Sequence, residues 1–231
     1  DDESPTRLHM LANAEIVYSF GANFLETWIS PVLYSRAYGE KRRGDLGQRG
    51  LLAQFESRLS STAASADEWV PIRAGTEGLA ALGLGKLLVD GGLAAGEYGP
   101  LYEGVSLDQV VEACGLRIET LQRLARIFAS VPNVLAIPGS SVAAREGGAA
   151  AMSAVQGLNL LAGRLGQPGG VYLPPLPPGD AFAPPAPSTY RDLEALIGDM
   201  AAGRVEILMV HGTDPVFELP AASGFVEALQ N

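Results

Sequence analysis

"EIVYSFGANFLETW" (15–28) and "EILMVHGTDPVFELP" (206–220) decide the fold, because the chain contains nearly the same pattern twice. Each stretch has Glu-Ile, a short apolar run, and a glycine that is followed two residues later by Asn23 or Asp214. Short apolar runs that end at glycine are typical of parallel strands covered on both faces. We therefore expect Gly21 and Gly212 to turn the chain sharply at a common edge of one sheet, where ligands bind in such folds. Two ordinary strand exits would give the same pattern.

The composition describes a globular protein and narrows the classes of function. The chain has 231 residues, 47% of them hydrophobic, and a net charge of −10. This charge repels nucleic-acid backbones, so no nucleic-acid partner is expected. The sequence has no apolar run of the 18 or more residues that a membrane span requires. A single cysteine, Cys114, supports no disulfide, zinc site or iron–sulfur cluster within these residues, and its place near the end of a helical pattern indicates a buried structural thiol.

One basic cluster stands out against the acidic background, in and just before "YGEKRRGDLGQRG" (38–50). Its members are Arg36, Lys41, Arg42, Arg43 and Arg49. Two interpretations are open: a solvated loop, or a contact for a phosphate or a protein partner.

Strand-like and helix-like segments alternate along the chain, which predicts an α/β fold. We expect a mostly parallel, doubly wound sheet with helices on both faces, built from two similar βα units. The predicted strands are 15–20, 51–56, 133–139 and 205–212. The predicted helices are 31–38, 75–92, 106–115, 118–131, 146–166 and 188–203, several with a Ser or Thr at the start and a Gly at the end.

The chain is expected to divide at a proline-rich stretch. Residues 168–187 hold eight of the 16 prolines, so they continue neither a helix nor a central strand. We predict a first α/β portion over 1–165, a Pro-rich connection over 166–188 and the start of a second α/β portion over 189–231. The chain opens without Met and closes on a helical pattern, which indicates that 1–231 is a fragment of a longer protein.

The most specific text is "SRLSSTAASADEWVPIRAGTEG" (57–78). It resembles the molybdopterin oxidoreductases, the dimethyl-sulfoxide-reductase superfamily, in which a strand ends in Asp-Pro-Arg and Ala-Asp and a Pro-Gly-Thr-Asp turn follow. "SFGANFLET" (19–27) resembles the family's Gly-x-Asn-Pro-x-Glu turn, and "VEILMVHGTDPVFELP" (205–220) its second such turn. "IPGSSVAAREGGAAAMSAVQGLNLLAGRLGQPGGVY" (137–172) resembles its glycine turn, long helix and Gly-x-Pro-Gly-Gly end. The resemblance covers nearly the whole chain, with the motifs in the family's order.

The resemblance implies which residues would line a cofactor pocket. In this family the strand-end loops hold two pyranopterin guanosine dinucleotides. Carried over by position, Glu56 matches an acid that contacts ribose, and Thr76 with Glu77 matches a turn near a guanine. The full set of candidate cofactor-binding residues is Gly21, Asn23, Glu56, Arg58, Thr76, Glu77, Gly139, Ser140, Gly212 and Asp214. No residue matches the catalytic metal ligand, so no catalytic or metal-ligating residue is predicted, and any iron–sulfur clusters would lie in other parts of the longer protein.

Several positions depart from the family pattern. Phe24, Ser57 and Ala74 stand where the family has proline, and Glu56 and Glu77 stand where it has aspartate. "GANFLETWISPVLYSRAYGE" (21–40) is similar to one branch, the iron–sulfur and molybdopterin-like subunit of alternative complex III, a quinol-oxidising membrane assembly. That branch implies loss of the cofactor.

Three functional hypotheses remain open at this point. The first is a cofactor-free domain of a respiratory electron-transfer subunit, on the extracytoplasmic face of a membrane complex by resemblance. The second is a genuine domain that binds molybdopterin guanine dinucleotide, and the third is an unrelated α/β binding or transferase domain. The expected partners are the remaining domains of the longer protein and the other subunits of the complex. The 231 residues alone are expected to bind no cofactor and to have no redox activity.

Overall fold

The computed structural model describes residues 11, 13–43, 49–92, 96–172 and 188–230. It divides the chain into two compact units, Asp1–Pro174 and Pro175–Asn231. The predicted Pro-rich connection, 166–188, falls for the most part on 173–187, which lie outside the described residues. Before them, 164–172 form a tight turn closed by a single bridge between Leu165 and Val171.

The first unit contains a four-stranded parallel sheet. Its strands are β1 (Ile16–Phe20), β2 (Leu51–Glu56), β3 (Glu68–Pro71) and β4 (Val134–Pro138), in the order β3-β2-β1-β4. The parallel sheet and three of its strands confirm the sequence prediction, and β3 was not predicted. Because the chain adds strands on one side of β1 and then crosses to the other, the carboxyl ends of β1 and β4 form the point at which the strand order reverses, which is the ligand edge of doubly wound sheets.

Helices connect the strands and cover both faces of this sheet, as predicted. In chain order they are α1 (Pro31–Arg43), α2 (Ser61–Ser65), α3 (Glu77–Asp90), α4 (Leu107–Cys114), α5 (Ile118–Phe128), α6 (Ser140–Ala143) and α7 (Gly148–Leu161), with a 3₁₀ helix at Gly96–Tyr102. The long helix that was predicted over 146–166 therefore forms as α7, separately from the short α6.

Successive strand residues point into two separate hydrophobic cores. Tyr18 and Phe55 lie in the larger core with the side chains of α3, α4, α5 and α7, whereas Val17 and Leu52 lie in the smaller core beside α1. The Tyr18 hydroxyl donates to the Leu124 carbonyl at 2.7 Å, and burial raises the pKa of this phenol. Each fully buried large apolar side chain stabilises the fold by about 1.5–3 kcal/mol, so the two cores hold the sheet between its helix layers.

The free edge of β4 is closed by a side chain. Asn159 of α7 is fully buried; its amide nitrogen donates to the Ala136 carbonyl at 2.8 Å, and its amide oxygen accepts from the Ala136 backbone nitrogen at 2.8 Å. These two bonds replace those that a further strand would make at this residue.

The second unit is helical over its described residues. It contains α8 (Tyr190–Ala201), α9 (Pro215–Glu218), a 3₁₀ turn (Ala221–Ser223) and α10 (Phe225–Ala228). The predicted cap of α8 is confirmed: Thr189 and Asp192 form a reciprocal capping box.

The strand that was predicted over 205–212 is not present. These residues are irregular and make no ladder hydrogen bonds to any other described segment. An apolar run becomes a strand only when neighbours take its backbone hydrogen bonds, and the described part of this unit supplies none. The turn after the run does repeat, as described below.

Candidate functional site

The loops after β1 and β4 meet at the carboxyl edge of the sheet through direct backbone contact. The Gly139 nitrogen donates to the Phe20 carbonyl at 2.8 Å, and the Ser141 hydroxyl donates to the Gly21 carbonyl at 3.2 Å. A Cβ atom at Gly139 would lie 2.0 Å from the Gly21 oxygen, so glycine is required there. The sharp turn that the sequence predicted at Gly21 is present, and Gly21 has a φ of +64°, in the left-handed region that favours glycine. We call this meeting of loops, together with the adjoining end of β2, the strand-end rim.

At the end of β2, a polar cluster around the buried Glu56 contains three of the predicted residues, Asn23, Glu56 and Arg58. Glu56 is 5% exposed; one carboxylate oxygen accepts from Gln54 Nε2 at 2.9 Å and from Ser60 Oγ at 2.8 Å. Its other oxygen lies 3.2 Å from Arg58 Nε and, with the Asn23 amide oriented by its neighbours, 3.2 Å from the Asn23 nitrogen. Four polar groups therefore surround one carboxylate.

These contacts engage both carboxylate oxygens of Glu56. A carboxylate has about four lone-pair positions on its two oxygens; Gln54, Ser60 and Asn23 take three of them, and the Arg58 guanidinium makes an ion-pair contact with the oxygen that Asn23 bonds. Three of those partners come from positions fixed by the fold: Gln54 by its strand, Ser60 by its role as N-cap of α2, and Asn23 by the turn after β1. The arrangement holds the β1 and β2 loops together and leaves this buried carboxylate little capacity to accept a further bond.

An outer ion pair covers the cluster. Arg58 has 64% of its side chain exposed and contacts Asn23 Oδ1 at 2.9 Å and Glu26 Oε2 at 3.6 Å. Glu26 also accepts from the Ser61 backbone nitrogen, and this bond, with Arg58 nearby, holds the pKa of Glu26 below its usual value. The loop after β1 is thus tied to the start of α2 by charged contacts at the surface.

Thr76 and Glu77 lie at the start of α3. The hydrogen bonds of Thr76 join it to Arg73 and Cys114 and not to the Glu56 cluster. The Thr76 hydroxyl donates to the Arg73 carbonyl at 2.7 Å, and its own carbonyl contacts the Cys114 sulfur at 3.6 Å. Cys114 is 1% exposed, which agrees with the predicted structural thiol, and burial raises the pKa of the thiol. Glu77 is buried in the first turn of α3.

A further cation lies over the turn before Thr76. A Cβ atom at Gly75 would be 2.4 Å from Arg145 Nη1. The guanidinium of Arg145, which lies in the loop after α6, therefore covers Gly75. Ser140 begins α6 with its side chain exposed.

The last two predicted residues belong to the second unit. Gly212 has a φ of +73°, so the left-handed turn of Gly21 is repeated here. The Asp214 carboxylate caps α9 by accepting from the Phe217 nitrogen at 3.3 Å. The structure therefore brings Gly21, Asn23, Glu56, Arg58 and Gly139 together and describes Gly212 and Asp214 only within their own unit.

Sequence reasoning missed Gln54 and Ser60. Gln54 is fully buried, and its side-chain oxygen has no protein partner among the described residues. The signal was available in "LLAQFE" (51–56), where Gln and Glu two residues apart in a strand must point to the same face.

The basic cluster of α1 is largely paired within the protein. Arg42 and Arg49 both contact Asp67, and Lys41 is 7% exposed, with its ammonium donating to the carbonyls of Ala14 and Glu15. Desolvation lowers the pKa of Lys41 to about 8. These contacts fix the amino-terminal edge of the sheet, opposite the strand-end rim.

The described residues contain neither a candidate metal site nor a helix that could span a membrane. No three His, Cys, Asp or Glu side chains in it are grouped so that they could hold a metal ion. None of its helices is both long and apolar enough to cross a membrane.

Curated relatives resemble this chain over most of its length. The menaquinone reductase, molybdopterin-binding-like subunit of Nitratidesulfovibrio vulgaris (strain Hildenborough) is 28% identical over 95% of this chain and 33% of its own. A nitrate reductase of Klebsiella oxytoca is 24% identical over 73% of this chain and 20% of its own. The chain thus spans a third or less of these relatives.

Solved structures and family comparison agree with the fold. The acetylene hydratase of Pelobacter acetylenicus superposes with a TM-score of 0.53, at 19% identity, over 68% of this chain and 24% of the other. The family model for molybdopterin oxidoreductase matches residues 3–174, which contain the whole strand-end rim. This match removes the alternative of an unrelated α/β domain and confirms the resemblance read from the turns: the chain belongs to the molybdopterin oxidoreductase family.

Proposed function

We propose that these residues form the central domain of a molybdopterin oxidoreductase-like electron-transfer subunit, within a respiratory complex that exchanges electrons with quinone. The longer polypeptide that contains them is called the parent protein below. The family match and the relative named as a menaquinone reductase subunit support this proposal. The role of the domain is to shape and support the subunit, while electron carriers, including any iron–sulfur clusters, belong to other regions of the parent protein.

The proposal rests on one observation: contacts within the protein engage both carboxylate oxygens of Glu56. Family membership implies molybdopterin in the parent protein, and in a nucleotide-binding role the strand-end carboxylate must offer a free oxygen to ribose hydroxyls. Here both oxygens are occupied by Asn23, Gln54, Arg58 and Ser60. Accepting a ribose would require breaking contacts inside a cluster in which Glu56 is 5% exposed. This end of β2 does not fit the nucleotide arm of the cofactor.

The glycines of the rim support the same conclusion. In a phosphate-binding turn, glycine leaves space for the ligand to approach the backbone. At Gly139 that space is filled by the Gly21 carbonyl, and at Gly21 it is filled by the Ser141 hydroxyl, 2.6 Å from a hypothetical Cβ. Both glycines therefore serve contact between two loops of the protein.

The departures from the family pattern have a physical role in this arrangement. Glu56 is one methylene longer than aspartate, which extends its reach toward Ser60 across the start of α2. Phe24, where the family has proline, is fully buried in the smaller core beside Tyr34. We infer that these substitutions exchange ligand contacts for internal packing.

The cofactor content of the purified parent protein tests the proposal. We expect molybdenum and tungsten well below one atom per polypeptide by mass spectrometry, and no fluorescent pterin after acid oxidation, while the intact complex still reduces or oxidises a quinone analogue. A protein of the same family that holds its cofactor, purified in parallel, checks the extraction. Stoichiometric metal and pterin would overturn the proposal.

A genuine cofactor-binding domain is the second candidate, and the similarity to a nitrate reductase over 174 aligned residues favours it. Under this candidate the cofactor would contact the residues that the resemblance predicts: Gly21, Asn23, Glu56, Arg58, Thr76, Glu77, Gly139, Ser140, Gly212 and Asp214. An Arg58→Gln variant of the parent protein separates the candidates, because Arg58 is largely exposed and its loss leaves the core intact. A loss of bound pterin with unchanged folding favours the second candidate, and unchanged metal and pterin content, at background level, favours the first.

The isolated 231 residues are proposed to lack redox activity under either candidate. A two-electron dye assay on this chain is expected to give the rate of the buffer alone. Because membrane association on the extracytoplasmic face is also part of the proposal, protease accessibility of the parent protein in sealed vesicles provides a separate test of location.

A further inference from the structure

We propose that Arg145 closes the turn before α3, residues 73–76, against a nucleotide base. This inference rests on the proposed function, because it concerns a domain that holds no cofactor. The contacts of Glu56 close only the end of β2, whereas the turn before α3 is a separate part of the carboxyl edge of the sheet. Arg145 is not among the residues that the sequence predicted for cofactor binding.

The turn before α3 has a backbone that another group can approach closely. Gly75 has a φ of +85°, in the left-handed region that favours glycine. The Thr76 nitrogen donates to the Arg73 carbonyl at 3.2 Å, which closes the turn, and no side chain caps the start of α3. In nucleotide-binding folds, a glycine at such a strand-to-helix turn leaves space for the ligand to approach the backbone. The group that lies over Gly75 therefore decides whether this turn can accept a ligand.

The guanidinium end of Arg145 takes that space. A Cβ atom at Gly75 would be 3.2 Å from Arg145 Cζ and 3.5 Å from its Cδ, so both the planar group and the adjoining methylene lie against the glycine. Arg145 forms no hydrogen bond or ion pair with any described residue, so nothing else in this part of the chain engages its charge. Gly75 follows β3 and Arg145 follows β4, which are the two outer strands of the sheet. The contact therefore joins loops from opposite sides of the carboxyl edge.

Helix packing places Arg145 over this turn. A Cβ atom at Gly78 would be 2.7 Å from Ala151 Cβ and 2.8 Å from its Cα, so the first turns of α3 and α7 are in direct contact. Helix α7 begins at Gly148, three residues after Arg145. Because the two helices touch at their first turns, the loop that leads into α7 lies beside the turn that leads into α3. The position of Arg145 thus follows from packing inside this domain.

Glu77 retains the chemistry that a base requires. It is 6% exposed, and its side chain forms no hydrogen bond or ion pair with any described residue, in contrast to Glu56. An ionised carboxylate only accepts hydrogen bonds, so a ligand has to present donors to it. Guanine presents two adjacent donors, N1–H and the N2 amino group, which match the two oxygens of a carboxylate. The turn thus combines a free acceptor with a glycine that Arg145 covers.

Equilibrium dialysis of the parent protein against guanosine tests the inference. Guanosine carries no charge, so removal of Arg145 changes no long-range attraction for this probe. We expect the affinity of the Arg145→Ala variant for guanosine to exceed that of the unsubstituted protein by about tenfold or more, which is the scale of hydrogen bonds to a charged group. Adding Glu77→Gln to Arg145→Ala should remove this gain. Arg191→Ala, at an exposed position of α8, is the matched control and should change the affinity by less than about twofold.

A measurement on the unsubstituted parent protein checks the cover directly and does not depend on the folding of a variant. Phenylglyoxal modifies guanidinium groups, and mass spectrometry of the digested protein gives the rate at each arginine. We expect Arg145 to react more slowly than Arg191, because one side of its guanidinium lies against Gly75. Equal rates overturn the inference. A folded Arg145→Ala variant that gains no guanosine binding also overturns it, as does a gain that persists after Glu77→Gln is added.

The pterin content of the same samples separates this inference from the proposed function. Stoichiometric pterin in the unsubstituted protein overturns both, because the carboxyl edge then holds a nucleotide while Arg145 is present. A pterin-free protein that fails the guanosine or the phenylglyoxal experiment overturns this inference alone and leaves the proposed function standing.

Discussion

Replacing Glu56 with Ala is the sharpest test of whether its carboxylate serves contacts within the protein. The substitution removes the acceptor for Gln54, which is fully buried, and for Ser60, which is 4% exposed. A buried donor that is left unpaired costs about 1–3 kcal/mol, so the two together predict a loss of about 2–6 kcal/mol in the free energy of unfolding. Release of Arg58 adds little, because 64% of its side chain is exposed.

Urea unfolding followed by tryptophan fluorescence measures this loss. The chain contains two tryptophans, Trp28 and Trp69, and both lie in the first unit, so the signal reports the unit that contains Glu56. Trp69 also donates to the Glu56 carbonyl at 3.0 Å, which places one probe directly beside the change. A loss of about 3 kcal/mol corresponds to a melting temperature lower by roughly 6–12 °C for a chain of this size.

Glu103→Ala is the matched control, because this glutamate is exposed and has no charged partner among the described residues. Its effect is expected to stay within about 0.5 kcal/mol. A carboxylate that is held free for a ligand behaves differently, since its removal leaves no buried donor unpaired. Unchanged or higher stability in Glu56→Ala would therefore refute the structural role and support the cofactor-binding candidate.

Three further changes test other parts of the structure. Burial lowers the pKa of Lys41 from 10.5 to about 8 in the folded protein. Between these pH values the unfolded state holds more protons than the folded state, so the free energy of unfolding should rise with pH, by up to about 3 kcal/mol. The Lys41→Met variant should lack this rise when its stability is measured across the same pH range. Gly139→Ala, which places a methyl group against a backbone carbonyl, should lower the urea midpoint far more than Gly104→Ala, where no atom lies within 4 Å of the new Cβ. Asn159→Leu should destabilise the first unit by about 2–5 kcal/mol, because both backbone groups that it satisfies stay buried; equal midpoints for the variant and the unsubstituted protein would contradict the edge-closing role.

The sheet of the first unit could be predicted because its signals are local. The runs before Gly21 and Gly139 are apolar on every residue or nearly so, which predicts strands buried on both faces, and the left-handed turn at Gly21 needs glycine for steric reasons. β3 escaped prediction because "EWVP" (68–71) is only four residues long and ends in proline. An edge strand that short gains its stability from pairing with β2, which the sequence does not display.

The site could be predicted in position but not in bonding. The turn pattern placed Asn23 in the loop that follows a predicted strand, and the family resemblance added Glu56 and Gly139; the structure brings these three residues together at the strand-end rim. Which groups Glu56 would bind depended on Ser60 and Gln54 reaching the same carboxylate, which is a matter of tertiary geometry. The strand over 205–212 failed for a related reason: its sequence carries the strand signal, whereas its hydrogen-bond partners are not among the described residues.

Asn159 controls whether a further strand can pair with β4. Because its amide occupies both backbone groups of Ala136, any segment that added to β4 would first have to displace a fully buried side chain. The edge strand β4 is therefore closed at Ala136 by its own helix and ends in Pro138, and both features oppose strand exchange at this edge.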